Sequence, residues 1–214
     1  TVGLYTLNFV GTSPQSFNNS SGTLTNTDRQ NVNINNPAGV TFNTPVVLQG
    51  NLSFITGILK TTFINLLTLG QGSTVTGVSD SGFVHGPVKK IGNTAFTFPV
   101  GKTGFGYVPI GVSNFFNGTA TDEFIAEYMR GSARALGPIG AAPGLVRVSG
   151  CDYWVLDKIK PTPESLDITA YWNINNTCIG NYIDDPDSVT IAHFNGTNWN
   201  SYATNKLLTP GSTS

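Results

Sequence analysis

Apolar residues in the first part of the chain come in short pairs separated by turn-forming residues. The alternation within these pairs is that of β-strands, and no 3.6-residue helical spacing is present. Successive pairs begin six to nine residues apart, with Gly, Asn or Pro between them. The pairs are Val32/Ile34, Val40/Phe42, Val46/Leu48, Leu52/Phe54, Ile58/Leu59, Leu66/Leu69, Val75/Val78 and Phe83/Val84.

The spacing of these pairs predicts a β-helix-like solenoid over residues 1–88. Three such strands per coil give a repeat of roughly 20 residues, which is the scale of solenoid repeats. Like charges stacked in successive coils would repel, and residues 1–88 contain only Asp28, Arg29, Lys60 and Asp80 as charged residues. One sheet of an ordinary antiparallel sandwich is the alternative interpretation.

The second part of the chain, residues 89–214, is predicted to be an antiparallel β-sandwich, which makes the whole chain all-β. Charged residues become frequent at Lys89-Lys90, and the strand candidates lengthen. Asn195-Gly196 is a strong hairpin signal, and residues 130–144 are predicted to form a loop with a possible helical turn. The predicted strands cover residues 86–91, 95–100, 107–112, 123–129, 145–148, 153–159, 166–174, 188–194 and 199–202.

Composition excludes several functional classes. Only 11% of the residues are charged and the net charge is −1, so the basic surface that nucleic-acid binding requires is not expected. No apolar run approaches the length of a membrane span. The two His and two Cys are far apart in sequence and lack the short spacings of a standard zinc site, so none is expected. A surface rich in hydroxyls and amides and poor in Lys is typical of an extracellular protein.

One run is fairly specific: residues 86–101 read GPVKKIGNTAFTFPVG, and residues 51–59 and 148–157 agree with it more weakly. Together they resemble a β-rich module of large secreted and surface proteins of Bacteroidetes, over roughly residues 30–205. The resemblance implies export by the type IX system and a place in adhesin stalks, filament-like surface layers or accessory regions of secreted enzymes. It implies a location and an architecture but no reaction.

Cys151 and Cys178 flank a predicted hairpin whose turn lies near residues 161–164. Folding at that turn would bring the two Cys opposite each other, at a Cα separation of about 5 Å that a disulfide allows. We therefore expect a disulfide and an oxidising compartment. Two unrelated buried thiols, or one reactive thiol, are the alternatives.

No catalytic constellation is predicted, and the chain is interpreted as non-enzymatic. His85 and His193 lie in strand-like contexts, and no Gly-x-Ser-x-Gly nucleophile elbow occurs. Glu123 and Glu127 would lie about 13 Å apart on the solvent face of one strand, too far for paired carboxylate catalysis. The loop of residues 101–106 lacks the phosphate-loop pattern and is predicted to connect a hairpin.

Two weaker candidates lie in one acidic loop. Asp184, Asp185 and Asp187 could bind Ca²⁺, although their spacing is not that of an EF-hand and turn formation explains them as well. No other cofactor is expected. Ser188 lies in an Asp-Ser-Val triplet that resembles a short O-glycosylation motif of the same phylum.

Two partner classes follow from the remaining residues. Trp199 and Tyr202, after the Asn195-Gly196 turn, are candidates for stacking on surface glycans. The N-terminal strand candidate, with Val2, Leu4, Tyr5, Leu7 and Phe9, lies ahead of the repeating pattern and is expected to pair with another copy in a fibre. The main expectation is thus a self-assembling structural or adhesive protein of a bacterial surface. A carbohydrate-binding accessory module and a monomeric spacer of a giant adhesin are the alternatives.

Overall fold

The computed structural model describes residues 5–18, 30–141, 144–172 and 189–202, and these residues form an all-β fold. One 3-10 turn, Ala133–Ala135, lies in the predicted loop. The strands are β1 (Thr6–Val10), β2 (Gln15–Phe17), β3 (Asn31–Asn35), β4 (Val40–Phe42), β5 (Val46–Leu48), β6 (Asn51–Thr56), β7 (Leu59–Lys60), β8 (Leu67–Leu69), β9 (Thr74–Thr76), β10 (Val84–His85), β11 (Val88–Ile91), β12 (Phe96–Phe98), β13 (Val100–Lys102), β14 (Gly106–Tyr107), β15 (Ile110–Phe116), β16 (Glu123–Arg130), β17 (Asp152–Lys158), β18 (Ser165–Ala170), β19 (Ala192–Phe194) and β20 (Trp199–Ser201).

The first half of the chain winds into a β-solenoid of about four turns, which confirms the predicted fold class. Its turns contribute strands to three sheets in which neighbouring solenoid strands are parallel. Sheet A contains β1, β3, β6 and β9; sheet B begins with β2, β4, β7, β10 and β13; sheet C begins with β5, β8 and β11. Each solenoid strand thus pairs with the strand one coil away, which is why single apolar pairs recur at the coil spacing.

The core of the solenoid consists of apolar side chains stacked from coil to coil. On sheet C, Val46 lies opposite Leu67, and Leu67 lies opposite Val88 in the next coil. All three are buried, and complete burial of such a side chain contributes about 1.5–3 kcal/mol. The alternate positions of the same strands face outward, which explains the two-residue periodicity of the sequence.

Antiparallel strands follow the last coil. β14 pairs with β13, β16 pairs with β11 in sheet C with β17 beside it, and β12, β15 and β18 form a separate antiparallel sheet. The ring of Phe115 in β15 lies 5.6 Å from the ring of Phe124 in β16. The indole of Trp154 donates a 3.0 Å hydrogen bond to the carbonyl of Val108 and packs 5.8 Å from the Tyr128 ring. The separate sheet therefore packs against the antiparallel extension of sheet C.

The predicted hairpin across residues 161–164 is wrong. β17 lies beside β16 in sheet C, whereas β18 pairs with β15 in the other sheet. Alternation in the sequence identifies each strand, but its partner is decided by distant strands that share the buried face. Residues 145–148 are also not a strand, and Cys178 lies outside the described residues, so the Cys151–Cys178 disulfide stays a prediction.

The described residues form two compact units, one within residues 5–128 and 154–171 and the other within residues 129–153 and 189–202. The division predicted near residue 88 lies inside β11, which pairs with both β8 and β16. The second unit has its own small core, in which Trp199 and Val148 are buried. Its β19 and β20 form the hairpin predicted across Asn195-Gly196.

Candidate functional site

The outward face of sheet A consists mainly of neutral polar side chains that bond from coil to coil, with the exposed Val10 at the end of β1. Asn33 Nδ2 donates to Asn8 Oδ1 over 2.8 Å. Asn51 Nδ2 donates to Thr76 Oγ1 over 3.0 Å, and Thr74 Oγ1 donates to Asn51 Oδ1 over 3.0 Å. No strand of sheet A contains a charged residue or a proline. The face therefore has no charge that would repel an identical face or edge.

Beneath β1, three aromatic rings fill the first coil. The ring of Phe9 lies 6.1 Å from that of Phe17 and 6.0 Å from that of Phe42, and Phe17 lies 5.7 Å from Phe42. Phe42 is buried and Phe9 nearly so. The cluster fixes the inward face of β1, so the outer edge of this strand has a defined orientation.

The outer edge of β1 carries backbone groups that no described residue pairs with. The carbonyl of Tyr5 accepts a 3.0 Å hydrogen bond from the Asn31 amide, so the backbone groups of Tyr5 point toward β3. Backbone groups of successive residues point to opposite sides of a strand. The amides and carbonyls of Thr6, Asn8 and Val10 therefore point away from β3, toward the open edge.

The far edge of sheet A is also a solenoid strand. β9 is the last strand of that sheet among the described residues, whereas sheet B ends in the antiparallel β14 and sheet C continues into β16 and β17. The amide of Thr74 donates to the Gly50 carbonyl over 3.3 Å, so Val75 is the residue of β9 whose backbone faces outward. The edge at β1 is thus the longer of the two.

Comparison with protein-family models, with curated proteins and with solved structures finds no match to the chain. Among the described residues, no helix is long and apolar enough to cross a membrane.

Lys90 is a buried cation that the sequence analysis did not single out. It lies opposite Leu69 in the core-facing row of sheet C and is 2% exposed. Its Nζ donates to the carbonyls of Gly70 and Ile91 over 2.7 and 2.5 Å and lies 5.5 Å from the ring centre of Phe96. Burial lowers the pKa of Lys90 to about 8. Lys90 lies two residues after Val88 on the same strand, so strand alternation predicts that its side chain faces inward like that of Val88.

Asp122 is a buried carboxylate that organises a turn. It accepts 2.8 Å hydrogen bonds from the amide and the hydroxyl of Thr119 and a 2.5 Å bond from the Thr162 hydroxyl. Burial alone would raise the pKa of Asp122, but these hydrogen bonds and nearby Lys158 hold it below its usual value. Its acceptors are occupied by the protein itself, so it fits a structural role.

His85 lies on sheet B and hydrogen-bonds through Nδ1 to the hydroxyl of Thr103 over 2.7 Å. Burial, followed by the positive charges of Lys102 and Lys60, lowers the pKa of His85. No group of three His, Cys, Asp or Glu side chains suited to a metal ion occurs among the described residues. Residues 101–106 run from β13 through a short turn into β14, which confirms the predicted hairpin.

Glu123 and Glu127 alternate with buried residues on β16, which confirms their predicted outward orientation. Glu123 pairs with Lys89 and, over 3.4 Å, with Lys160; Glu127 pairs with Lys102 over 3.3 Å. The hydrogen bond from Lys89 lowers the pKa of Glu123. Each carboxylate is therefore held by lysines in a separate ion pair.

The glycan-stacking prediction for Trp199 is wrong. Trp199 is 7% exposed, its Nε1 donates to the Ala133 carbonyl over 3.0 Å, and its ring packs 5.3 Å from Phe194. An indole whose apolar faces are covered cannot stack on a sugar. Tyr202 is 57% exposed and contacts His193 edge-on, so it is the remaining member of the predicted pair.

Several predicted residues lie outside the described ranges and stay predictions. The N-terminal strand is described from Tyr5, with Tyr5 exposed, Leu7 half-buried and Phe9 in the core. Cys151 is described, half-buried and not a free thiol, and its predicted partner Cys178 lies outside the described residues. The residues outside the described ranges are Val2, Leu4, Cys178, Asp184, Asp185, Asp187 and Ser188.

Proposed function

We propose that the chain is a non-enzymatic structural and adhesive module of a bacterial surface whose copies associate through the open edge of β1. The observation that carries this proposal is the edge itself: outward-pointing backbone groups at Thr6, Asn8 and Val10 with no described partner. Soluble proteins usually protect such edges with charges, prolines or covering segments. β1 contains neither a charge nor a proline, so added strand pairing meets no built-in obstacle.

The sequence supports placing this module outside the cell. A chain with 11% charged residues relies on hydroxyls and amides for solvation, and the proposed Cys151–Cys178 disulfide suits an oxidising compartment. Secretion and adhesion are parts of the same proposal, together with the resemblance to Bacteroidetes surface modules. The coil-to-coil ladders of sheet A agree with a structural rather than a catalytic role.

The test compares two substitutions at Asn8. Asn8→Pro removes an amide that points to the open edge, whereas Asn8→Ala keeps that amide; both lose the hydrogen bond from Asn33. Because the Asn8 amide does not bond to β3, both variants should retain the native circular dichroism spectrum. We expect the unsubstituted chain and Asn8→Ala to associate with rising concentration in light scattering, and Asn8→Pro to shift toward monomer.

A chain that stays monomeric at all concentrations would refute assembly, and the monomeric spacer would then be the better interpretation. Association that Asn8→Pro leaves unchanged, with native circular dichroism, would locate the contact elsewhere than at β1. Polysaccharide binding that is lost in Tyr202→Ala would instead favour the carbohydrate-binding module.

A further inference from the structure

We infer that the partner of β1 is β1 of a second copy, paired antiparallel about a two-fold axis at Asn8. This inference rests on the proposed function and names the partner of the same edge. The result is a closed pair rather than the fibre expected from the sequence, because a two-fold contact uses the same edge on both copies. The two copies of sheet A then form one continuous eight-stranded sheet, since each contributes the four strands β1, β3, β6 and β9.

The direction of the backbone groups supports this register. In an antiparallel pair, two residues whose amides and carbonyls face each other exchange both hydrogen bonds. With Asn8 opposite Asn8 of the second copy, Thr6 comes opposite Val10 and Val10 opposite Thr6. All three outward-pointing residues of each strand are then paired, for a total of about six hydrogen bonds. A shift of the register by one residue would bring backbone groups that point toward β3 to the interface, and these hydrogen bonds would be lost.

The side chains are compatible with a two-fold axis. Such an axis places identical residues against each other, so a charge at its centre would be repelled by its own copy. Asn is both a donor and an acceptor, and it therefore forms hydrogen bonds with another Asn. On the outward face, Thr6 meets the exposed Val10; on the inward face, the half-buried Leu7 meets Phe9. On each face of the sheet, the side chains of one copy are therefore compatible with those of the other copy.

A head-to-tail arrangement of β1 on β9 satisfies fewer groups. β9 has three residues, and of these only Val75 turns its backbone toward the outer edge. Parallel pairing there would leave most of the outward groups of β1 without partners. The longer edge thus matches another copy of itself better than it matches the far edge of the sheet.

Thiol crosslinking distinguishes the two arrangements. In the two-fold pair, the Asn8 Cα atoms lie about 5.5 Å apart, so Asn8→Cys should give a covalent dimer with a short bis-maleimide. Ser53→Cys is the matched control, because it faces the same side from β6 and lies about 24 Å from its copy. The unsubstituted chain, treated in parallel, measures any reaction of Cys151 and Cys178.

The register is tested by mixing two variants. A mixture of Thr6→Cys and Val10→Cys should crosslink more strongly than either variant alone, because these positions face each other across the axis. Crosslinks are read as dimer bands on denaturing gels and assigned by mass spectrometry of the joined peptides. Equal yields from the mixture and the single variants would overturn the register.

The outcomes separate this inference from the proposed function. Association in light scattering without an Asn8→Cys dimer, but with oligomer ladders in an Asn8→Cys/Thr76→Cys variant, would overturn the two-fold pairing and retain assembly. An Asn8→Cys dimer at the expected yield supports both. Absence of association in the unsubstituted chain, with no crosslink in any variant, would overturn both.

Discussion

The buried ammonium of Lys90 predicts a specific pH dependence of stability. Its core-facing position next to Leu69 makes the charged form unfavourable, and burial lowers the pKa of Lys90 from 10.5 to about 8. Lys90→Met keeps a flexible apolar stem of similar length and removes the titrating group. The two chains should therefore differ in stability by an amount that changes with pH.

The sign follows from proton binding. Between about pH 8 and pH 10.5, the unfolded chain holds the Lys90 proton more tightly than the folded chain does. Stability rises with pH wherever the unfolded state binds more protons. The pKa of Lys90 falls from 10.5 in the unfolded chain to about 8 in the folded chain. At about 1.4 kcal/mol per pKa unit, this change corresponds to about 3 kcal/mol in the free energy of unfolding. Below pH 8 both states are protonated and this contribution is constant.

The assay is urea unfolding of both chains, followed by tryptophan fluorescence at several pH values from 7 to 10.5. Groups common to both chains cancel in the difference between their unfolding free energies. As the pH rises over this range, we expect the free energy of unfolding of the unsubstituted chain to increase relative to that of Lys90→Met by up to about 3 kcal/mol. Parallel pH profiles, or a difference that moves in the opposite direction, would refute the argument from burial.

Three further substitutions, two of them with a matched control substitution, test the packing of the coils by urea unfolding. Gly57→Ala should cost about 3 kcal/mol or more, because Gly57 has φ +111° and a Cβ there would overlap the Asn36 carbonyl. Gly72→Ala, also at positive φ but in open space, should cost about 1 kcal/mol; equal costs would contradict the overlap. Leu69→Ala should cost 2–5 kcal/mol against about 0.5 kcal/mol or less for exposed Ile64→Ala. Asn36→Ala should cost about 1–3 kcal/mol by removing the donor to the Ser13 carbonyl, and an unchanged midpoint would show that water replaces it.

The solenoid could be predicted because its information is local and repeated. Val32/Ile34, Val40/Phe42 and Val46/Leu48 each mark a strand whose apolar members face the core, as observed in β3, β4 and β5. Parallel stacking repeats that local pattern in every coil, so no distant partner had to be guessed. The hairpins at residues 101–106 and at Asn195-Gly196 were predictable for the same reason.

Elsewhere the partner of a strand is distant, and local alternation does not identify it. The two strands of the wrong hairpin lie next to each other in sequence, yet their partners are β16 and β15. The turn before Trp199 predicts an exposed ring, but the carbonyl of Ala133, 66 residues away, accepts its indole hydrogen. The open edge of β1 was expected from the absence of charges, whereas its orientation required the hydrogen bond from Asn31 to Tyr5.

The separation between paired residues differs among the three sheets. On sheet C it is 21 residues for both Val46–Leu67 and Leu67–Val88, whereas on sheet B it is 19 for Val40–Leu59 and 25 for Leu59–Val84. The corners on either side of sheet B therefore absorb differences in length, with a register shift in sheet A between Ile34 and Asn35. A peptide tag or a reporter loop inserted at the corner between β9 and β10 would meet a site that already accommodates extra residues.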